Sequence, residues 1–258
     1  MKEALYKIPL IDAFKTDCEC PFCVIERDLE NKALDFVVGS DSYMQSDIRE
    51  QTDKTGFCRD HLKKMFEFGN AQGNGLILNT HYRKMIDTLK KKMGEYKPAK
   101  ASLKEKLPIV AKSFDFENPA DPMASWCVFM DKSCYVCDYM KNTFDRYFDT
   151  FFHLYKKEPD FVDMIRNCKG FCLHHFGYLM EASRSCLSEK DVPAFTALIF
   201  PIMEQNMNRV QEDVSWFCDK FDYRNKDADW KNSRDAIQRG MEKLRGIRPD
   251  IPPHKQDK

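Results

Sequence analysis

The residues best equipped for chemistry in this chain are its cysteines and histidines, and they fall into a pattern. Cys20-Pro21-Phe22-Cys23 is followed by Gly56-Phe57-Cys58-Arg59-Asp60-His61, and Cys134-Tyr135-Val136-Cys137 by Gly170-Phe171-Cys172-Leu173-His174-His175. Cys20, Cys23, Gly56, Phe57, Cys58 and His61 each recur 114 positions later, as Cys134, Cys137, Gly170, Phe171, Cys172 and His175. Such a constant offset marks a duplicated unit without insertion or deletion between these positions. A CxxC lets two sulfurs reach one ion from a single turn, and a CxxH at a helix start places sulfur and imidazole about one turn apart. Three soft thiolates and one imidazole are the donors of a closed tetrahedral zinc site. Order along the chain assigns Cys20, Cys23, Cys58 and His61 to one ion, and Cys134, Cys137, Cys172 and His175 to a second. Two Zn2+ per chain are therefore expected. Glycine ahead of each Phe-Cys permits a tight turn, and helix N-termini would offset part of the charge of three thiolates.

Other chemistries fit these residues less well. Iron–sulfur clusters take similar donors, but His is a less usual ligand there and the usual ferredoxin spacings are absent. Covalent haem needs His directly after CxxC, where this chain has Val24 and Asp138. Cys20-Pro21-Phe22-Cys23 also resembles a dithiol redox site, which makes a thiol redox enzyme or sensor working through Cys20 and Cys23 the second reading. Against it, the counterpart pair encloses Tyr135-Val136, and no alternating strand–helix pattern precedes either pair. Four protein ligands leave no open position for hydrolysis, so an enzymatic role is disfavoured. Cys18 competes with Cys20, but its counterpart, position 132, is Lys; His174 competes with His175, and only the offset decides between them. Cys168, whose counterpart is Lys54, and Cys127, Cys186 and Cys218 read as structural or incidental thiols, and His81 and His153 as ordinary helix histidines.

Helices must position these ligands. Phe22, Ile25, Leu29, Ala33, Phe36 and Val37 recur at helical spacing after the first CxxC, and Gly39-Ser40-Asp41 supplies a stop and a new cap. A short helix from about Ser42 to Gln51 follows; a third begins near His61 and ends near Gly69-Asn70; Leu78, Tyr82, Met85, Leu89 and Met93 face a fourth. The second copy repeats this layout with Phe144, Tyr147, Phe148, Phe151 and Tyr155, then Phe161, Met164 and Ile165, then Phe176, Leu179 and Met180. Its last helix, through Phe195, Leu198, Ile202, Val210, Val214, Phe217 and Phe221, should reach about residue 222 with a bend near Pro201. Trp230, Ile237, Met241 and Leu244 suit one further amphipathic helix. The expectation is an all-α protein of two tandem four-helix zinc-binding repeats plus a C-terminal helix. Its segments are 13–93, the first repeat; 94–125, a linker containing Pro and Lys; 126–222, the second repeat; 223–246, the C-terminal helix; and 247–258, a flexible tail.

Composition agrees with a helical chain that buries a core. Of 258 residues only 10 are Gly and 12 Pro, against 20 Phe and 13 Met, with 43% hydrophobic and 32% charged. Forty-one basic residues balance 41 acidic ones, which gives no global field for nucleic acid or anionic lipid. Locally, residues 83–112 hold ten Lys or Arg (Arg83, Lys84, Lys90, Lys91, Lys92, Lys97, Lys100, Lys104, Lys106 and Lys112) against three acids. A phosphate contact there is a third and weaker reading, because no aromatic platform is interleaved with the charge. The start of the chain does not read as a secretory signal, and the longest apolar run, Ala194 to Met203, is about half as long as a bilayer crossing needs, so a cytoplasmic protein with reduced cysteines is expected. The aromatic stripe Phe144, Tyr147, Phe148, Phe151, Phe152 and Tyr155 is wider than one helix face requires: most of it should be core, and the excess is free to bury the other repeat or a second subunit, a pointer to association.

Several segments together resemble a family of uncharacterised proteins of Firmicutes assigned to a domain of unknown function. They are Lys7-Ile8-Pro9-Leu10-Ile11-Asp12-Ala13-Phe14, Cys18-Glu19-Cys20-Pro21-Phe22-Cys23, Thr52-Asp53-Lys54-Thr55 with the Gly56 to His61 motif, and Gly170 to Phe176. The resemblance covers nearly the whole chain and implies a bacterial, intracellular protein. Members are sometimes labelled as transporter substrate-binding proteins, a label this sequence supports with no export signal. The resemblance carries no catalytic residue over.

Overall fold

The computed structural model of the chain describes residues 2–39, 41–100 and 115–251. Among the described residues the regular structure is entirely helical. In chain order the α-helices are α1 (Lys2–Lys15), α2 (Pro21–Leu34), α3 (Ser46–Thr55), α4 (Arg59–Phe68), α5 (Ala71–Gly94), α6 (Pro122–Lys132), α7 (Tyr135–Lys157), α8 (Pro159–Asn167), α9 (Leu173–Cys186), α10 (Val192–Asp219) and α11 (Ala236–Arg245). The expected all-α class is what the structure has. The expected short helix after Ser42 is a 3-10 turn, Asp41–Met44, followed by α3. Pro201 sits inside α10 without ending it.

Two compact units divide the chain, and they are drawn differently from the sequence segments 13–93 and 126–222. Of the described residues, one takes 2–29 and 141–251, the other 30–39, 41–100 and 115–140. The boundaries fall within α2 and α7, so each unit contains parts of both sequence copies.

The first unit is built on aromatic packing. Phe14, Phe22, Phe144, Phe148, Phe151, Phe152, Phe161, Phe171 and Phe195 are all buried, and many meet edge-on or tilted at centroid distances of 4.7–6.3 Å. Each such side chain contributes about 1.5–3 kcal/mol through removal from water. The aromatic stripe of α7 is thus absorbed by the core of its own unit, with Leu10, Ala13 and Phe14 of α1 packed into the same cluster. The second unit has a smaller core of Ala33, Leu34, Val37, Val38, Phe57, Met65, Phe68, Ile77 and Val136. Adjacent Val37 and Val38 both reach it because α2 passes into a widened π turn, Asp35–Gly39.

Helix ends are set by recognisable local chemistry. Asn70 caps α5 by accepting from Gly73 N at 2.9 Å, and Asp121 caps α6 by accepting from Met123 N and Ala124 N. Gly69 and Gly246 end α4 and α11 in the left-handed conformation. Of the basic run, Arg83, Lys84, Lys90, Lys91, Lys92, Lys97 and Lys100 are exposed, while Lys104, Lys106 and Lys112 lie outside the described residues. So does the tail beyond residue 251. No helix is long and apolar enough to cross a membrane, among the described residues.

Candidate metal centres

All eight predicted ligands come together in two groups of four, but the partners are exchanged. Cys20 and Cys23 meet Cys172 and His175, and Cys58 and His61 meet Cys134 and Cys137. The CxxC of each sequence copy is thus joined by the CxxH of the other, which corrects the assignment by chain order. Each group lies wholly inside one compact unit, Cys20, Cys23, Cys172 and His175 in the first and Cys58, His61, Cys134 and Cys137 in the second.

Local structure explains the presentation. Cys20 and Cys134 stand immediately before α2 and α7, and Cys58 and Cys172 are the N-caps of α4 and α9. Each group therefore gathers at two helix N-termini, where free N–H groups and the positive dipole end favour thiolate. Backbone N–H groups are aimed accordingly: Cys137 N donates toward Cys134 Sγ at 3.5 Å, and His175 N toward Cys172 Sγ at 3.4 Å. Gly56 and Gly170, with φ of 64° and 76°, supply the positive-φ turn before each Phe-Cys.

The distances can be set against a metal. With metal–sulfur bonds of about 2.3 Å and a metal–nitrogen bond of about 2.0 Å, a regular tetrahedron has S···N edges of about 3.5 Å and S···S edges of about 3.8 Å. In the first group His175 Nδ1 lies 3.5, 3.3 and 3.2 Å from the sulfurs of Cys20, Cys23 and Cys172, and Cys23 and Cys172 Sγ are 3.6 Å apart. In the second, His61 Nδ1 lies 3.2, 3.2 and 3.4 Å from Cys58, Cys134 and Cys137, with Cys58 and Cys137 Sγ 3.9 Å apart. Both groups have the edge lengths and donors of a tetrahedral site made of three sulfurs and one nitrogen, and both are able to hold a metal ion. Nδ1 is the inward atom of both histidines.

Protonation in the absence of metal is shared unequally. Burial pushes the Cys134 thiol up, but hydrogen bonds from His61 and from backbone N–H groups outweigh it and bring it down to about 6. Burial likewise disfavours the His61 cation, yet Cys134 and Glu30 raise that imidazole to about 10. Contact with Cys20 and Cys23 holds Cys172 far below the ordinary thiol range, while burial raises Cys20 and the neighbouring sulfur of Cys172 raises Cys23. Cys172 in one group and Cys134 in the other are thus the sulfurs whose surroundings favour thiolate, and a bound cation would release protons from the thiols held up, Cys20, Cys23 and Cys137.

Residues around the ligands were not legible in the motif. Glu30 accepts from His61 Nε2 at 3.1 Å and also meets Lys64. Such an outer carboxylate fixes a ligating histidine in its tautomer and orientation. Glu26 lies 3.6 Å from His175 Nε2. The position 114 after Glu30 is Phe144, whose ring stacks on His175 at 5.2 Å and 27°. One location thus contacts the histidine in both groups, as a carboxylate in one and an aromatic ring in the other. The spacing of Cys23, Glu26 and Glu30 puts them on one face of α2, a signal present in the sequence although the motif does not include it.

The C-terminal helix supplies the other unforeseen contribution. Lys243 on α11 is 1% exposed, and its Nζ donates to the carbonyl of Glu19 at 2.7 Å and to that of Lys169, the residues preceding Cys20 and Gly170. A Cβ at Gly246 would sit 3.2 Å from Cys23 Sγ and 3.7 Å from Cys172 Sγ. Gly69 has the same left-handed backbone with open space around it, so the two glycines form a matched pair. Gly69→Ala should cost about 1 kcal/mol from backbone strain alone and leave metal retention unchanged. Gly246→Ala should cost more and accelerate chelator-driven loss from the Cys20 group. Denaturation midpoints together with metal-release half-times measure both effects.

Other candidates fall outside the two groups. Cys18 is buried and directed at the carbonyl of Ala13, with burial raising its thiol to about 11. Exposed His174 packs on Tyr178 at 4.3 Å and joins only the smaller group of Glu26, His174 and His175. His81 approaches the carbonyl of Asp53 at 3.1 Å and packs over Gly56, which makes it a support for the turn ahead of Cys58. Cys168 accepts from Gly170 N, Cys186 faces Asp149, and Cys127 and Cys218 are exposed. Cys20 and Cys23, which a dithiol redox site would have to present to its substrate, are both fully buried.

Neither a curated protein nor a solved structure matches the chain. A family model does match, over residues 1–251, and the chain belongs to that family, described as a family of unknown function (DUF6062).

Proposed function

We propose that this chain is a zinc-binding helical protein with two structural sites of three cysteines and one histidine, and that it serves as a binding or scaffold module for a protein partner in the cytoplasm. The observation that carries the reading is the doubled tetrahedron of donors, with His Nδ1 within 3.2–3.5 Å of three sulfurs in both units. Zn2+ suits three thiolates and an imidazole without redox chemistry or a preferred d-electron geometry. Four protein donors close the coordination sphere, which favours a structural over a catalytic role. The two-repeat origin rests on the shared 114-residue offset, which extends to the starts of α2 and α7 and of α4 and α9. Exchange of the CxxH pieces between the copies makes each ion join distant parts of the chain, so metal binding contributes directly to folding. An apolar α6 with no buried residue, including Phe129 at 66% exposure, supports the expectation of a protein partner.

Metal analysis of the untagged protein purified without chelator should return about two zinc ions per chain. Removing them with a strong chelator under reducing conditions should lower the thermal midpoint and loosen both units. A metal-free protein that is fully folded and takes up no zinc on addition would overturn the proposal.

A further inference from the structure

We propose, resting on the zinc reading above, that the Cys58, His61, Cys134 and Cys137 centre is a peroxide-responsive site that gives up its ion on oxidation while the Cys20 centre keeps its own. The donors are the same in both centres, so their difference must come from what surrounds them. Cys20, Cys23, Cys172 and His175 are all buried, at 1% exposure or less. Gly246 packs against two of those sulfurs, Lys243 holds the backbone ahead of both chelating segments, and Phe144 lies on the histidine ring. At the other centre Cys137 is exposed and Cys58 half-buried, and the position of the aromatic shield is taken by Glu30.

The two more exposed cysteines are also neighbours, with their sulfurs 3.9 Å apart. A metal-bound thiolate retains nucleophilicity, and its oxidation follows access. Cys137 Sγ attacks one peroxide oxygen, the O–O bond breaks, and with one proton taken up the products are a sulfenic acid and water. Cys58 Sγ then attacks that sulfur, the S–O bond breaks, and a second proton carries the oxygen away as water. Two thiolates, one hydrogen peroxide and two protons thus become one disulfide and two waters. Cys134 and His61 remain as the only donors, and the ion leaves.

The test uses the full chain loaded with two zinc ions, treated with hydrogen peroxide in the presence of a chromogenic zinc indicator. One ion should appear roughly tenfold or more faster than the second. Non-reducing peptide mapping at that point should find a Cys58–Cys137 disulfide with Cys20, Cys23 and Cys172 unoxidised, and dithiothreitol with added zinc should restore the second equivalent. Repeating it in a chain with Cys127, Cys186 and Cys218 replaced by Ser removes surface thiols from the readout. Release of both ions at one rate, a disulfide within the Cys20 centre, or oxidation confined to surface thiols with both ions retained would overturn the inference and leave the zinc reading intact. A chain that takes up no zinc before peroxide is added overturns both.

Discussion

Replacing Cys20 and Cys172 together by Ser should leave a protein that still holds one zinc ion, whereas replacing Cys20 and Cys58 together should leave none. The two double variants remove the same number and type of ligands, so any difference between them reports pairing alone. Assignment by chain order predicts the reverse outcome. Losing a ligand from a buried centre of three cysteines and one histidine should be severe, because structural zinc in small peptides carries about 10–16 kcal/mol of apparent binding energy. That is comparable with the whole stability of a domain, about 5–15 kcal/mol. A single substitution, Cys172→Ser, provides a check that survives local unfolding. It should open Cys20 and Cys23 to alkylation while Cys134 and Cys137 stay protected by zinc, as read by mass-mapped labelling. Protection that instead vanishes at Cys134 and Cys137 would restore pairing within each sequence copy.

Helix lengths show why pairing was hidden while ligand identity was plain. The residue types and the constant offset pick out all eight donors without any structure. Which CxxH reaches which CxxC depends on where rigid helices carry the chain. The 23 residues of α7 span about 34 Å and the nine residues of α8 only about 13 Å, so α8 is too short to retrace α7. In the first copy α2 and its π turn, 19 residues from Pro21 to Gly39, span about 28 Å against about 15 Å for α3. Periodicity reveals these helices but does not by itself give their reach.

Other elements were masked by ambiguous signals. Pro122 reads as a linker proline, yet it occupies the first turn of α6 behind the Asp121 cap, where its missing N–H costs nothing. Pro9 similarly obscured α1, whose Leu10, Ala13 and Phe14 enter the core of the first unit. Glu30 shares a helix face with Cys23 but serves the histidine of the other centre, a relation that spacing along one helix does not encode. Lys243 and Gly246 lie too far along the chain from Cys20 for any local pattern to join them. Legibility thus ended where the two sites depend on contacts between remote segments.

Lys243→Met should destabilise the first unit by about 2–4 kcal/mol, chiefly through the hydrogen bonds it removes. Its ammonium lies 3.3 Å from Glu19 Oε2, and both residues are 1% exposed. Arg209 and Arg239 also face that carboxylate, so the variant does not strand it entirely. What it does strand are the carbonyl of Glu19, a buried acceptor that costs about 1–3 kcal/mol when left unpaired, and the part-buried carbonyl of Lys169, which costs less. With zinc bound, three thiolates would leave the Cys20 centre one net negative charge, which the nearby ammonium would also offset. Methionine matches the length of lysine closely enough that lost volume is a minor contribution. The expected signature is therefore selective: faster chelator-driven zinc loss from the Cys20 centre, a lower denaturation midpoint for the first unit, and unchanged zinc retention by Cys58, His61, Cys134 and Cys137. Equal weakening of both centres would show that Lys243 acts on global stability, and unchanged release at the Cys20 centre would show that the two carbonyl contacts do not hold its chelating segments in place.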